Sequence, residues 1–245
     1  MILVAAGGIL VAGLGLAYWI VMSPYSQLFG DFPYKGVTSE KVVALTFDDG
    51  PNEPFTSEIA DFLRTRAVTA TFFQVGRCVE RNPEVTERLA REGHLIGSHS
   101  YSHRFLHCLR WSAQKEDIAK GQQTLTTLLG RRPALFRPPW LFRHPSMLQT
   151  LRAQGLEPIS GEFGHVLEVF QPSPGRIARR ALAKVRPGSI LIFHDGFDAR
   201  TGSRGQTVEA VKLIVDHLLR DGFRFATIDE LLGIPGYHSL GKSEL

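Results

Sequence analysis

Residues 42–51 read VVALTFDDGP, an apolar run that ends in two adjacent carboxylates and a turn. Val42 to Leu45 have the composition of a strand buried on both faces, where β-branched and aliphatic side chains fill the space above and below a sheet. Gly50 and Pro51 then break the extended chain into a loop, so Asp48 and Asp49 fall at the strand's carboxyl end. Successive residues of an extended chain point to opposite sides, and the two carboxylates are therefore suited to different tasks. An Asx turn closing the strand would account for one of them with no further role. What surrounds the pair decides between these readings.

Similar short apolar runs recur at residues 69–75, 95–98, 134–137, 156–160, 189–193 and 223–227. The amphipathic segments between them have readable ends. Asn82 and Pro83 open a helix that Gly93 closes, Ser112 opens a longer one closed by Gly130, and Thr207 to Asp221 stops at Gly222. Strands that each lead towards a helix predict a parallel α/β domain over residues 42–232, as an open sheet or a barrel. Such folds gather their sites at the carboxyl ends of strands. Asp48, Asp49, His99, Arg137 and His194 all fall there, on one predicted rim.

SHSYSH at 98–103 sets His99 and His103 four residues apart, so that on a helical turn both imidazoles share one face. Two neutral imidazoles and one carboxylate hold a divalent cation while leaving positions open for water and substrate, and Asp49 is the natural third ligand. His107 extends the row but reads as an outer or structural histidine. Asp48, nearby and not ligating, can take a proton from the attacking water. FRPPW at 136–140 puts Arg137 at a strand end, either as a cap of that end or as the partner that orients Asp48. GSILIFHDG at 188–196 ends an apolar strand on His194, a candidate general acid or a satisfied strand-end histidine.

TFDDGP, HSYSH, RPPW and the strand ending in FHD resemble, in order and rough spacing, the motifs of the polysaccharide deacetylases with the NodB homology domain, carbohydrate esterase family 4. The resemblance covers Val42 to Leu232. It implies a distorted, incomplete (β/α) barrel and a divalent metal, most often zinc, on Asp49, His99 and His103. It implies Asp48 as base, Arg137 as its partner and His194 as acid. Ile192 would line the pocket for the acetyl methyl, and the backbone amide of Tyr101 would face the oxyanion. Trp140, Phe142 and Tyr101 are candidates for stacking on sugar rings. Two departures stand out: Leu141 and Phe142 follow RPPW where the family usually has Gly, and LEVFQPSP supplies Glu168 and Val169 where it has Asp and Trp. Glu168 is one candidate support for His194, and Glu162 is another. The implied activity is metal-dependent removal of N-acetyl groups from sugar residues of a cell-surface glycan, peptidoglycan or a related aminosugar polymer. The alternatives are a deformylase or deacetylase of a lipid-linked sugar and a noncatalytic glycan-binding module of the same fold. From the ligand set alone, an iron oxygenase is a third.

The chain has 245 residues, 43% of them hydrophobic, enough for one domain with a large core. Residues 1–22 contain no charged side chain and are long enough to span a bilayer, so they read as a transmembrane anchor, or as a signal segment if cleaved. Residues 23–41 then read as a tether and residues 233–245 as a C-terminal tail. The catalytic domain is expected outside the cytoplasm, tied to the membrane, or secreted if the segment is removed. The net charge of +4 is mild and accompanies no nucleic-acid motif, so no nucleic-acid partner is expected. The densest basic stretch is RIARRALAKVR at 176–186, where Arg176, Arg180 and Lys184 share a face if helical. That face rests on lipid headgroups, meets an acidic polymer, or is simply solvated. Cys78 and Cys108 are too few for a disulfide scaffold and lack metal-motif spacing; separate thiols or a single bridge are both open.

Overall fold

Among the described residues ten strands carry the fold: β1 (Val42–Asp48), β2 (Thr71–Gln74), β3 (Leu95–Ser98), β4 (Arg132–Pro133), β5 (Leu135–Phe136), β6 (Glu157–Pro158), β7 (Glu162–Phe163), β8 (Ile190–His194), β9 (Arg224–Phe225) and β10 (Tyr237–His238). The computed structural model describes residues 2–239, and of residues 2–7 and 9 the backbone alone. An eight-stranded sheet runs β6-β5-β3-β2-β1-β8-β7, with β9 beside the start of β1. Its pairings are all parallel. Every side chain of β1 is buried, as its composition requires for a central strand covered on both faces. One face packs Phe47, Phe72 and Phe193 against helices that include Phe55–Thr65 and Gly205–Arg220. The inner face packs Ala44, Phe73, Leu95, Leu135 and Ile190 around Ile228.

The two edge strands, β6 and β7, are separated in the chain by only residues 159–161, so the sheet curls back on itself as a half-barrel. Residues 32–36 fill the remaining gap. The Ser160 amide donates to the Pro33 carbonyl at 2.8 Å, Lys35 bridges to Ser189, and the Gly36 amide donates to the Gly188 carbonyl at 2.8 Å. Phe32 is buried in a cluster with Leu141, Ile192 and Phe163. Residues 23–41, expected as a tether, therefore lie against the domain, because a Phe side chain and unpaired strand-edge groups both gain by being covered. At the other end β10 pairs antiparallel with β4, and the Ile96 amide donates to the Tyr237 hydroxyl at 2.9 Å. Residues 240–245 of the expected tail lie outside the described residues.

Ile2–Met22 forms a 21-residue helix. Among the described residues no helix is long and apolar enough to cross a membrane, so the expected transmembrane segment has no support there. Where its side chains are described the helix exposes Leu10, Val11, Leu14, Leu16, Tyr18 and Trp19. Its carboxyl end meets the domain, where the Arg143 amide donates to the Val21 carbonyl at 2.9 Å. Arg143 is itself buried, with its guanidinium 4.3 Å from the Phe32 ring centroid and bonded to the Ser23 carbonyl.

Phe32 links this segment to the floor of the cavity described below, which makes it a test of the closure. Phe32→Ala is expected to cost about 3–5 kcal/mol, as for other buried aromatic truncations. The readout is the urea midpoint of the full chain, and an unmoved midpoint would show that the segment is not part of the folded unit.

Candidate active site and metal centre

The register brings the expected rim residues together. Asp48 of β1 lies opposite His194 of β8 and Phe73 of β2, while Ser98 at the end of β3 lies opposite Phe136 of β5. The residues just beyond, Asp49, His99 and Arg137, consequently reach the same end of the sheet. Asp48, Asp49, His99, His103, Trp140 and His194 line one cavity of about 230 Å³.

Arg137 is fully buried. Its Nη1 donates to Asp48 Oδ1 at 2.8 Å and to Thr46 Oγ1 at 2.6 Å, its Nη2 to the Ser160 carbonyl at 2.7 Å, and its Nε to the Ile159 carbonyl at 3.4 Å. Burial pushes the guanidinium below its ordinary value, and Asp48 works against that shift. The alternative of a simple strand cap does not describe it, because one arm is committed to a carboxylate on the rim.

Asp49 stands at φ 77°, in the left-handed region that costs a non-glycine residue energy. The loop is packed too tightly to relax. A Cβ on Gly50 would lie 2.1 Å from Asp195 Oδ2, and one on Gly196 would lie 2.3 Å from the Asp49 carbonyl. This places Asp49 Oδ1 3.1 Å from His103 Nε2 and 3.4 Å from His99 Nε2. That oxygen is buried and makes no hydrogen bond. The His99 Nδ1 lies 2.6 Å from the Arg137 carbonyl, which can only accept, so the ring proton sits on Nδ1 and the Nε2 lone pair faces Asp49. His103 Nδ1 lies 3.0 Å from Asp198 Oδ1. One atom from each of Asp49, His99 and His103 lies within 4.8 Å of the others. An orphaned carboxylate oxygen facing two imidazole nitrogens is a donor set that suits a divalent cation. Burial alone would raise the Asp49 carboxyl, but the imidazoles of His103, His99 and His194 prevail and hold it far below the usual range.

The helix expected across residues 99–103 is absent. Ser100 (φ 68°) and His103 (φ 49°) are left-handed, and the His103 amide donates to Ser100 Oγ at 3.1 Å. A knotted loop brings the imidazoles together instead, their centroids 5.0 Å apart.

On the opposite wall His194 Nδ1 lies 2.7 Å from Glu168 Oε2, and the Thr207 hydroxyl donates to the other oxygen of Glu168. Burial would lower His194, yet Glu168, then Asp49 and Asp48, overcome it and raise the imidazole to about 9. Glu162 is turned away, accepting from Ser189 Oγ at 3.3 Å and from the Tyr25 hydroxyl at 3.4 Å. The choice left open between Glu168 and Glu162 falls to Glu168, whose extra methylene spans the distance an Asp would leave.

Two expected substrate contacts are not where the resemblance implied. The Tyr101 amide donates to the Asp117 carbonyl at 3.1 Å and is not free for an oxyanion. Its hydroxyl donates to Glu80 and its ring lies under Lys120, outside this cavity. Ile192 is buried beneath the cavity with Phe32 and Leu141 and does not line it. Trp140 does line it, with its ring 4.3 Å from that of His103. Cys78 and Cys108 are separate buried thiols. His107 contacts Asp117 at 3.2 Å, away from the cluster. The residues that sequence reasoning missed are Asp198, Phe163 and His165; Asp198 lies only three residues past Asp195 in the HDGFD stretch, the one local signal for it.

A half-barrel that gathers a donor set suited to a cation, an arginine-bound carboxylate and a raised histidine at its carboxyl rim has the groups a hydrolase needs. The chain belongs to the polysaccharide deacetylase family, hydrolases of N-acetyl amide bonds, whose family model matches residues 35–159. It is 31% identical over 195 residues to a peptidoglycan-N-acetylglucosamine deacetylase of Bacillus cereus, covering 79% of this chain and 89% of that one. It is 29% identical over 206 residues to a chitooligosaccharide deacetylase of a Bradyrhizobium species, covering 81% and 94%. Among solved structures, a peptidoglycan N-acetylglucosamine deacetylase superposes with a TM-score of 0.77 at 30% identity, covering 84% of this chain and 94% of that one. A Bacillus anthracis pseudoenzyme superposes at 0.73 with 22% identity, covering 82% and 68%, a likeness of fold alone.

Proposed function

We propose that the chain is a metal-dependent deacetylase of N-acetylated sugar residues in a cell-surface glycan, peptidoglycan or a related aminosugar polymer. The observation that carries this reading is the facing pair across one cavity: Asp48 held by Arg137 on one wall and His194 held by Glu168 on the other, with the Asp49 cluster beside them. Asp49, His99 and His103 would hold the ion, zinc foremost, which when bound supplies a Lewis acid for the acetamide carbonyl and lowers the pKa of water. Arg137 occupies Asp48 Oδ1, so the attacking water gives its proton to Oδ2. His194, raised to about 9, carries a proton at neutral pH and passes it from Nε2 to the leaving amine, while Glu168 fixes the ring through Nδ1. Trp140 offers a ring face at the mouth for a sugar.

Glu168 contacting His194 takes away the feature that favoured a noncatalytic binding module. The chitooligosaccharide and peptidoglycan relatives support a polymer over a lipid-linked sugar. The same proposal puts the catalytic domain at the cell surface, supported by the absence of any charged side chain in the sequence of residues 1–22. Recovery of the full chain from the membrane fraction after an alkaline wash tests that placement, and recovery in the cytosol refutes it.

Acetate release from N-acetylglucosamine oligomers and from peptidoglycan by the full chain tests the activity. A strong chelator is expected to reduce release at least a hundredfold and zinc to restore it, with one equivalent of metal found by elemental analysis and none in His99→Ala. Release that persists with the metal stripped would refute the metal-dependent reading.

A further inference from the structure

The basic stretch at 176–186 forms one wall of a groove that lies beside the active-site cavity. Helix Pro174–Leu182 buries Ile177, Ala178 and Ala181 against the core, which turns Arg176, Arg179 and Arg180 outward. Just beyond its end, the Lys184 ammonium donates to the Phe163 carbonyl at 2.9 Å, and the Phe163 ring is stacked on His194. The opposite wall is the loop of half-buried His165 and exposed Val166 and Leu167. The groove is about 850 Å³, and no carboxylate is among its lining residues. Among the described residues, none of these four cations is ion-paired, in contrast to Arg64, Arg66 and Arg88 on other helices. His165 and Val166 line both this groove and the catalytic cavity, so the two spaces adjoin across these residues. The His165 Nδ1 accepts from the Leu167 amide at 3.0 Å, which leaves Nε2–H as a donor. Burial first, then Arg180, Arg176 and Lys184, hold His165 below its ordinary value, so the cations crowd this one ring.

We propose that the groove between Arg176, Arg180 and Lys184 and the His165–Leu167 loop binds a carboxylate carried by a sugar residue neighbouring the one that is deacetylated. The inference rests on the deacetylase reading and narrows its substrate to an acidic glycan. Four uncompensated cations beside a reaction cavity repel one another, and a ligand anion relieves that repulsion as well as pairing with them. A neutral glycan offers no such relief. The shared edge of His165 and Val166 puts an anion in the groove within reach of a molecule whose acetyl group enters the cavity, which is why a glycan substituent is chosen over a lipid headgroup. Val166 and Leu167, both exposed, give an apolar edge for a sugar face along the same path.

The test compares N-acetylglucosamine oligomers with oligomers of equal length bearing a carboxylate on the adjacent sugar, using the full chain and an Arg176→Gln/Arg180→Gln variant. Both positions are exposed, so the fold survives the change. The wild type is expected to show a KM about three- to tenfold lower for the acidic oligomer at low salt, the range that a few exposed ion pairs supply, and to lose that advantage as salt rises. In the double variant the ratio of the two KM values falls to about one, whereas an exposed control on another helix, Lys115→Gln, keeps the wild-type ratio. Equal KM values in the wild type, or an unchanged ratio in the variant, overturn the proposal. So does binding to phosphatidylglycerol vesicles that disappears in the variant while the glycan ratio stays, which would assign the groove to a lipid surface. Calorimetric titration of the same oligomers separates this inference from the reading beneath it. If neither oligomer releases acetate the deacetylase reading fails, while tighter wild-type binding of the acidic oligomer, lost in the variant, still establishes the groove.

Discussion

Asp48→Asn is expected to lower kcat by about 10²- to 10⁴-fold, the contribution of a positioned proton acceptor. The substitution is nearly isosteric, and its amide oxygen can keep the hydrogen bond from Arg137 Nη1, which also donates to Thr46 Oγ1. Arg137 retains the carbonyls of Ser160 and Ile159 as well, so the guanidinium stays engaged although its countercharge is gone. Some stability is lost, because a buried charge without its partner is destabilising. The fold nonetheless remains assembled at temperatures well below the transition. What the amide cannot do is accept a proton from water at the position left free by Arg137. The side chain of Asp48 is not within the Asp49, His99 and His103 cluster, so metal content should stay at the wild-type level. Asp49→Asn is the contrasting variant, since it removes a ligand and should lose metal and activity together. Measuring kcat and bound metal on both variants separates the two carboxylates. Wild-type turnover in Asp48→Asn, or its loss of metal, would remove Asp48 from the role of base.

The division of labour between adjacent carboxylates was legible because a strand alternates its side chains and a turn follows. The strands were legible for a related reason: seven apolar runs of the right length coincide with strands of the sheet, although the shortest, Leu135–Phe136, Glu157–Pro158 and Arg224–Phe225, contribute only two residues each. What sequence patterning does not carry is conformation imposed by crowding. The four-residue spacing of His99 and His103 suggested a helical turn, whereas left-handed Ser100 and His103 fold a loop that reaches the same convergence by another path. β7 was missed because Glu162–Phe163 sits between Gly161 and Gly164 with no apolar run around it, yet it is the strand that brings the half-barrel round to His194. Residues 23–41 read as a tether because their polar and aromatic residues have no period; Phe32 finds its partners, Leu141 and Ile192, more than a hundred residues away. Tyr101 shows the limit of carrying a role by motif. Its position in the loop matches, but helix Trp111–Leu129 presents the Asp117 carbonyl to its amide and fills the place an oxyanion would need.

Glu168→Gln should move the alkaline limb of the kcat profile downward by more than two pH units. In the folded protein the carboxylate of Glu168 raises His194 to about 9 against the opposing effect of burial. A neutral Gln keeps a hydrogen-bond acceptor for Nδ1 and leaves burial unopposed by its former charge, so the imidazole falls to or below its ordinary value of about 6.5. A general acid must be protonated to act, and activity therefore declines as pH rises through its pKa. At pH 8 a group of pKa 9 is almost fully protonated and one of 6.5 only about 3%, so the variant is expected to lose roughly thirtyfold in kcat there and far less at pH 6. A cation on the Asp49 cluster repels the imidazolium and brings the wild-type limb below 9, in the same direction for both proteins, so the difference between them persists. Stability follows the same sign. The pairing of His194 with Glu168 contributes fully below about pH 6.5, where the unfolded imidazole is also protonated, and is lost as pH rises through about 9. The stability gap between wild type and variant should accordingly narrow across that window. A profile whose alkaline limb does not move in Glu168→Gln, with kcat reduced equally at pH 6 and pH 8, would show that Glu168 only holds the ring in place and that the proton for the leaving amine comes from another group.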